Sequence, residues 1–361
     1  MLVERFHDNP LLTPEDIEPS REGFEVIGTF NVAAFEFEGR VGLLVRVAER
    51  PVADDPELVP IPSFDTSVYP PAAEVLTLRR DDPAWLFGSP CVVSPAPGSA
   101  GRHCWLTNLS HFRLAWSDDG RSFRFDDDPA AAIWPDNAYE RFGIEDPRVT
   151  RIEDVYLITY TAVSDLGICV GLMATKDFRS FDRRGLILPL QNKDVCFFPE
   201  KIGGEYVVLH RPDSGWCRPA MWVARSADML NWGRHELVAE PGPETWDSGR
   251  VGAGPPPVAT PDGWLVIYHG AGSEGYCLAA MLLERGDPAR VIARSDRPIM
   301  VPETEYEMDG FVDGVAFCNG LVERPGGELW LYYGGGDRVT AGAVCHVDDL
   351  LDSLKRNSSA G

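Results

Sequence analysis

The protein has 361 residues, of which 44% are hydrophobic and 10% aromatic, with 35 glycines and 30 prolines. Acidic side chains number 56 against 33 basic ones, and a net charge of -23 would repel nucleic-acid backbones and anionic membrane surfaces. A neutral substrate such as a sugar is compatible with this charge, whereas an anionic substrate would need a local basic cluster.

The N-terminal segment shows no basic stretch followed by an apolar one, and no segment elsewhere approaches the roughly 18 apolar residues of a membrane helix. We therefore expect a cytoplasmic protein. The cysteines lie far apart and form no CxxC pair, so we expect reduced core thiols rather than disulfides or zinc ligands. They are Cys91, Cys104, Cys169, Cys196, Cys217, Cys277, Cys318 and Cys345.

One hairpin pattern recurs five times along the chain. Each copy has a short apolar strand, a polar turn that usually contains glycine, and a second strand of apolar and aromatic residues, as in a β-hairpin. In chain order the copies are FNVAAFEFEGRVGLLVRV from Phe30, EDPRVTRIEDVYLITYTA from Glu145, FPEKIGGEYVVLHRP from Phe198, GPPPVATPDGWLVIYHG from Gly254 and NGLVERPGGELWLYYGGGD from Asn319.

A second motif recurs between these copies: a strand, an Asp-centred turn and an aromatic residue that leads into another strand. It occurs at 114–125, 171–185 and 222–237. Two hairpins per unit make a four-stranded blade, so the sequence predicts an all-β, five-bladed β-propeller as one domain over residues 1–361. Only the tail, 347–361, contains convincing helical periodicity, in VDDLLDSLKRN.

The segment from about 50 to 105 separates the first two copies more widely than the later ones. Its Pro-rich, acidic text, ERPVADDPELVPIPSFDTSVYPP, predicts irregular structure. The sequence leaves open whether this insertion covers the mouth of a site, contacts another subunit or is a solvated surface loop.

Polar residues at matched repeat positions are the candidates for a site, because corresponding strand ends of a propeller converge on one funnel. The repeat alignment places Asn31, Asp146 and Glu200 near the start of the first strand. Near the end of the second strand it places Arg46, Thr161, Arg211, His269 and Asp337. Charge within apolar strands needs a reason, which is either a functional site or a ring of ion pairs that plugs the channel.

Several motifs together resemble glycoside hydrolase family 130. They are LTNLSHFRLAWSDDG at 106–120, GIEDPRVT at 143–150, NKDVCFFPEKIGGEYVVLHRP at 192–212, WDSGRVGAGPPP at 246–257, WLVIYHG at 264–270 and LYYGGGD at 331–337. The resemblance extends over about residues 24–340. It implies a five-bladed propeller that acts on β-mannosides, since members are mostly inverting phosphorylases and in some branches hydrolases.

The resemblance also implies roles for individual residues. Asp146, the aspartate of the EDPR motif, would be the proton donor, and Asn31, Arg46 and Asp337 would hold the mannosyl ring. The residues that would bind phosphate are Lys193, Arg211, Arg250, His269 and Tyr276. Inorganic phosphate is then a co-substrate, and we expect no other cofactor and no metal.

Phosphorolysis to α-mannose 1-phosphate is the favoured reaction for a physical reason. An inverting hydrolase needs a second carboxylate to activate water, whereas phosphate is already a nucleophile and needs cations that hold it in line. A β-mannoside hydrolase and a non-catalytic sugar-binding propeller remain the alternatives. A zinc hydrolase is disfavoured because the histidines show no HExxH-like spacing. The linkage, the acceptor sugar and the formation of a homo-oligomer stay open.

Overall fold

Five antiparallel sheets, numbered here blades I to V along the chain, make up most of the protein. The structure is a computed structural model that describes residues 2–128, 131–243 and 245–358. Each blade is a path of four strands. The first strands of consecutive blades from I to IV contact one another, and the first strand of blade V contacts that of blade I and the second and third strands of blade IV. The predicted all-β, five-bladed propeller is confirmed.

Within each blade the strands are named from the innermost to the outermost. Blades I and II contain Phe24–Phe37, Arg40–Pro51, Leu109–Ser117 and Arg124–Phe125, then Ile144–Ile152, Val155–Ser164, Gly167–Thr175 and Asp182–Leu188. Blades III and IV contain Asn192–Phe197, Tyr206–Pro212, Met221–Ser226 and Gly233–Ala239, then Arg250–Ala253, Gly263–Gly272, Gly275–Leu283 and Val291–Arg294. Val258–Thr260 also pairs with the second strand of blade IV, and blade V contains Ala316–Arg324, Glu328–Gly335, Val339–His346 and Val3–Arg5.

The hydrophobic core lies between adjacent blades, because each sheet buries both faces of its inner strands. Phe35 of blade I stacks on Phe178 of blade II with ring centroids 3.7 Å apart, and Phe198 meets Trp264 edge to face at 5.1 Å. Burial of one such side chain stabilises the fold by roughly 1.5–3 kcal/mol. This packing fixes the inner strands that carry the site.

The two ends of the chain close the propeller within blade V. The N-terminal strand Val3–Arg5 pairs antiparallel with Val339–His346, so that Val3 faces Cys345. Arg5 adds an ion pair to the buried Glu307 at 2.8 Å. The hairpin repeats did not predict this strand, because three residues are too few to show an alternating pattern.

The predicted irregular structure of the insertion is wrong. Leu58–Asp65 and Ala72–Arg79 form a hairpin, and Trp85–Leu86, Val92–Pro95 and Trp105–Leu106 form a second small sheet. Val59, Ile61, Leu78 and Val93 give the segment a small core of its own. Pro60 and Pro62 are tolerated in the hairpin because each strand of a two-stranded sheet has a free edge, where the missing N–H is not needed.

Helices are few in the part of the chain that the structure describes. Glu305–Met308 is a single α-helical turn, Val347–Ser358 is the helix that the periodicity of the tail predicts, and 3-10 turns lie at Pro14–Asp16 and Ala138–Glu140. None of the described helices is long and apolar enough to cross a membrane.

All the cysteines are free thiols, as the sequence predicts, but not all lie in the core. Cys104 and Cys217 are exposed and Cys91 is half-buried, so the predicted burial is wrong for these three. The buried ones are Cys169, Cys196, Cys277, Cys318 and Cys345.

Candidate active site

The inner strands of blades I, II and III are interrupted by β-bulges that carry polar side chains. The pairing register shifts between Phe30 and Ala33, between Glu145 and Arg148, and between Lys193 and Cys196. The residues within these bulges adopt left-handed backbone angles, with φ of 50° at Asn31, 50° at Asp146 and 56° at Asp194. Asn and Asp tolerate this conformation better than most residues, and a bulge re-aims the side chain that it carries. The three polar groups therefore converge at one end of the central channel.

The repeat alignment was wrong in blade III. Its inner strand begins at Asn192, before the FPEK text, so Asp194 takes the position that the alignment assigned to Glu200. Glu200 lies on the surface, where it forms an ion pair with Arg285 at 2.7 Å.

A cavity of about 320 Å³ opens at this end of the channel. The residues to which the family resemblance gives a role line it, except His269; of the further candidates from the repeat alignment, Thr161 and Glu200 do not line it. Those that the structure brings together here are Asn31, Arg46, Asp146, Lys193, Arg211, Arg250, Tyr276 and Asp337. The insertion contributes Cys91, Val92 and Leu106, so it forms part of the wall of the site.

Asp146 is held on one side of the cavity by two neighbours. Its Oδ1 accepts hydrogen bonds from Asn31 Nδ2 and from Arg46 Nη1, both at 2.9 Å. Arg46 also donates from Nη2 to Glu145 at 2.8 Å. Burial raises the pKa of Asp146, but the nearby cations Arg46, Lys193 and Arg148 outweigh burial and lower it overall. The carboxylate is therefore fixed in orientation and ionised near neutral pH.

Asp337 is another carboxyl group near Asp146, and its environment raises its pKa instead of lowering it. Burial raises the pKa of Asp337 to about 6; Arg46 opposes the shift, while Asp146 and Glu145 add to it. Asp337 therefore keeps its proton to a higher pH than Asp146 does.

Cations from blades III and IV also line the cavity, and this part of its wall is called the cationic side here. Lys193 and Arg211 come from blade III and Arg250 from blade IV, with Tyr276 beside them. Arg211 is buried, and its Nε has no hydrogen-bond partner among the described residues. A guanidinium group at the wall of a cavity is suited to bind an anion through charge-assisted hydrogen bonds.

His269 lies behind this side rather than on the cavity wall. It is fully buried, and its Nε2 is 3.1 Å from Arg211 Nη1. Burial lowers the pKa of His269 to about 4, with Asp194 opposing the shift, so the ring is neutral near pH 7. Its position supports contact with Arg211 rather than direct contact with a ligand in the cavity.

Asp194 and Arg148 are site residues that the sequence reasoning missed. Arg148 Nη2 donates to Asp194 Oδ1 at 3.2 Å, and both side chains are about 1% exposed. The available signal was charge inside apolar strands, since Arg148 ends the EDPR motif and Asp194 stands in NKDVCFF.

Over residues 2–128, 131–243 and 245–358, no three His, Cys, Asp or Glu side chains are grouped so as to hold a metal ion. Metal-independent activity stays a prediction. We expect EDTA to leave the rate of mannoside cleavage unchanged, because the cavity presents cations rather than a ligand cluster. An EDTA-treated enzyme that loses activity and regains it with zinc or calcium would contradict this expectation.

The fold and this site define a carbohydrate-active propeller, and comparisons with known proteins agree. The family model for glycoside hydrolase family 130, described as beta-1,4-mannooligosaccharide phosphorylase, matches residues 106–356. A beta-1,2-mannobiose phosphorylase of Listeria innocua is 41% identical over 357 residues, which cover 98% of this chain and 99% of that protein. The chain belongs to glycoside hydrolase family 130.

A solved structure and a second relative extend this result. The solved complex of beta-1,2-mannobiose phosphorylase from Listeria innocua with beta-1,2-mannobiose superposes with a TM-score of 0.93 at 40% identity, over 99% of this chain and 100% of that one. A 1,2-beta-oligomannan phosphorylase of Thermoanaerobacter sp. is 39% identical over 249 residues, covering 67% of this chain and 80% of that protein.

Proposed function

We propose that this protein is an inverting phosphorylase that cleaves a β-mannoside with inorganic phosphate and releases α-mannose 1-phosphate. The observation that carries the proposal is that one cavity is lined both by the carboxyl group of Asp146 and by the cations Lys193, Arg211 and Arg250. The family's phosphorylase relatives support the same reaction.

Asp146 protonates the leaving oxygen, directly or through a substrate hydroxyl. In this proposal the mannosyl ring is held by Asn31, Arg46 and Asp337, which line the same cavity as Asp146. The pKa of Asp146, which the nearby cations lower, has to rise before the group can act as an acid. Phosphate bound beside Lys193 brings negative charge that offsets this cation, so filling the site favours the protonated form.

On the cationic side, phosphate is bound by Lys193, Arg211 and Arg250, with Tyr276 adjacent. Charge-assisted contacts of Arg and Lys to phosphate are strong and hold the anion in line with the anomeric carbon. His269 acts from behind Arg211. Attack from the face opposite the leaving oxygen inverts the anomeric configuration.

Hydrolysis fits the cationic side less well. A water-using inverting enzyme needs a free carboxylate on the face opposite the acid. Among the residues that line the cavity on blades III and IV, the carboxylate is that of Asp194, and it is paired with Arg211 and Arg148. A base occupied by two guanidinium groups does not readily take a proton from water.

The substrate that we propose is a β-1,2-linked mannoside, with the disaccharide as the first compound to test. Two relatives that are about 40% identical are named for β-1,2 linkages, and one of them covers nearly the whole chain. The test measures disaccharide consumption with and without phosphate. We expect turnover only with phosphate, and an equal rate in phosphate-free buffer would point to the hydrolase.

Arg211→Ala should raise the KM for phosphate far more than the KM for the mannoside, because the change removes a charged donor from the cationic side, where phosphate binds in this proposal. The loss of one charge-assisted hydrogen bond corresponds to about 1.5–3 kcal/mol, or roughly 10- to 150-fold in KM. Initial rates over a matrix of both substrate concentrations separate the two constants. The matched control is Arg225→Ala, whose guanidinium pairs with Asp287 away from the cavity. A parallel rise of both KM values in the Arg211 variant would contradict the assignment.

A further inference from the structure

A buried charge cluster lies directly behind the cationic side of the cavity and is centred on Asp194. Its Oδ2 lies 2.7 Å from Arg211 Nη1 and 3.3 Å from His269 Nε2, and its Oδ1 is 3.2 Å from Arg148 Nη2. Arg148, Arg211 and His269 come from blades II, III and IV respectively. One carboxylate therefore joins three blades where the phosphate side is built.

The positions of the Arg148 and Arg211 side chains depend on Asp194 to different degrees. Arg148 also donates to the backbone carbonyls of Asp146, Ala253 and Gly254, so its position is fixed without Asp194. Arg211 has no such backbone acceptor among the described contacts. Its Nη1 contacts Asp194 and His269, and its Nε has no partner. Asp194 and His269 are thus the described groups that hold Arg211, and Asp194 is the charged one of the two.

Gly252 supplies a second, independent observation. A Cβ at this position would lie 2.5 Å from Asp194 Oδ2 and 2.7 Å from His269 Nε2, closer than side-chain atoms approach. The backbone of Gly252 is not left-handed, so the position needs glycine for space rather than for conformation. The inner strand of blade IV therefore makes room for the carboxylate and for the imidazole together.

We propose that Asp194 is the positioning residue of the phosphate-binding side. It orients Arg211 and His269 from behind, and the absence of a side chain at Gly252 makes this arrangement possible. The inference rests on the proposed phosphorylase function and assigns a role to two residues that do not themselves hold the sugar.

Asp194 has two opposing effects on the affinity for phosphate. As an anion near the phosphate it would weaken phosphate binding by repulsion, so its neutralisation alone would tighten binding. As the group that orients Arg211 it strengthens binding, and its loss leaves two buried guanidinium groups that repel each other. We expect the positioning effect to be the larger.

The test compares Asp194→Asn, which removes the charge, with Gly252→Ala, which displaces the carboxylate and leaves every charge in place. We expect both variants to raise the KM for phosphate by about tenfold or more, the loss expected from one weakened charge-assisted hydrogen bond. The KM for β-1,2-mannobiose should change by less than about threefold, a split that general loss of structure would not produce.

Matched controls are Gly233→Ala, where a Cβ meets nothing within 4 Å, and Asp247→Asn, which removes a buried carboxylate paired with Arg294 at 2.5 Å outside the cavity. Both should keep the wild-type KM for phosphate. If Asp194→Asn does not fold, Gly252→Ala decides the question.

An unchanged or lower KM for phosphate in Gly252→Ala would overturn the positioning role while leaving the proposed function intact. Wild-type turnover that is independent of phosphate would instead overturn the proposed function, and the positioning role with it.

Discussion

Asp146→Asn should abolish turnover of an unactivated β-mannoside while leaving the fold intact. The amide has almost the same shape and can still contact Asn31 and Arg46, but it cannot donate the proton that the leaving oxygen needs. Loss of a general acid costs about 10²- to 10⁴-fold in rate. The measurement is kcat with β-1,2-mannobiose and saturating phosphate, together with the circular dichroism spectrum.

A substrate with an activated leaving group serves as the control for this variant. A leaving group such as a nitrophenolate needs little protonation, so the Asn variant should lose much less activity on an aryl β-mannoside. More than a tenth of wild-type activity on the unactivated disaccharide would show that another group is the acid.

Arg46→Met should lower both activity and stability, because Arg46 joins two buried carboxylates. Its guanidinium pairs with Asp146 at 2.9 Å and Glu145 at 2.8 Å, and all three side chains are nearly buried. Removal of one partner from a buried ion pair typically costs about 3–5 kcal/mol. The pKa of Asp146 should also rise, since Arg46 is the strongest of the cations that lower it. Urea unfolding and the pH dependence of kcat/KM measure the two effects.

Arg294→Met is the matched control for Arg46. Arg294 pairs with the buried carboxylate of Asp247 in blade IV, outside the cavity, so this variant should lose stability and keep its KM values and kcat. If Arg46→Met retains wild-type kcat at saturating substrates, the orientation of Asp146 does not depend on Arg46.

The fold and the family are the features that the sequence predicts correctly. Strand alternation and glycine turns are local, so five hairpin copies are visible without knowledge of the packing. The convergence of Asn31, Asp146 and Asp337 also follows from the repeat, because equivalent strand ends of a propeller meet at one channel. Their roles remain proposals that the variants above test.

Long-range packing explains what the sequence did not predict. Asp194 meets Arg148 only because the bulges of blades II and III aim both side chains at the same point, and a bulge is not visible in the text NKDVCFF. His269 lies behind Arg211 because the strand of blade IV that carries His269 is buried. The insertion looked irregular because proline is normally a strand breaker, whereas here its strands have free edges.

The central claim, phosphorolysis with inversion, is tested most directly by the product that the wild-type enzyme releases. ¹H and ³¹P nuclear magnetic resonance spectra of a reaction with β-1,2-mannobiose and phosphate identify that product and its anomeric form. We predict equal amounts of α-mannose 1-phosphate and mannose, with the phosphorus signal of the ester growing as the disaccharide disappears. Free mannose alone, with inorganic phosphate unchanged, would contradict the account.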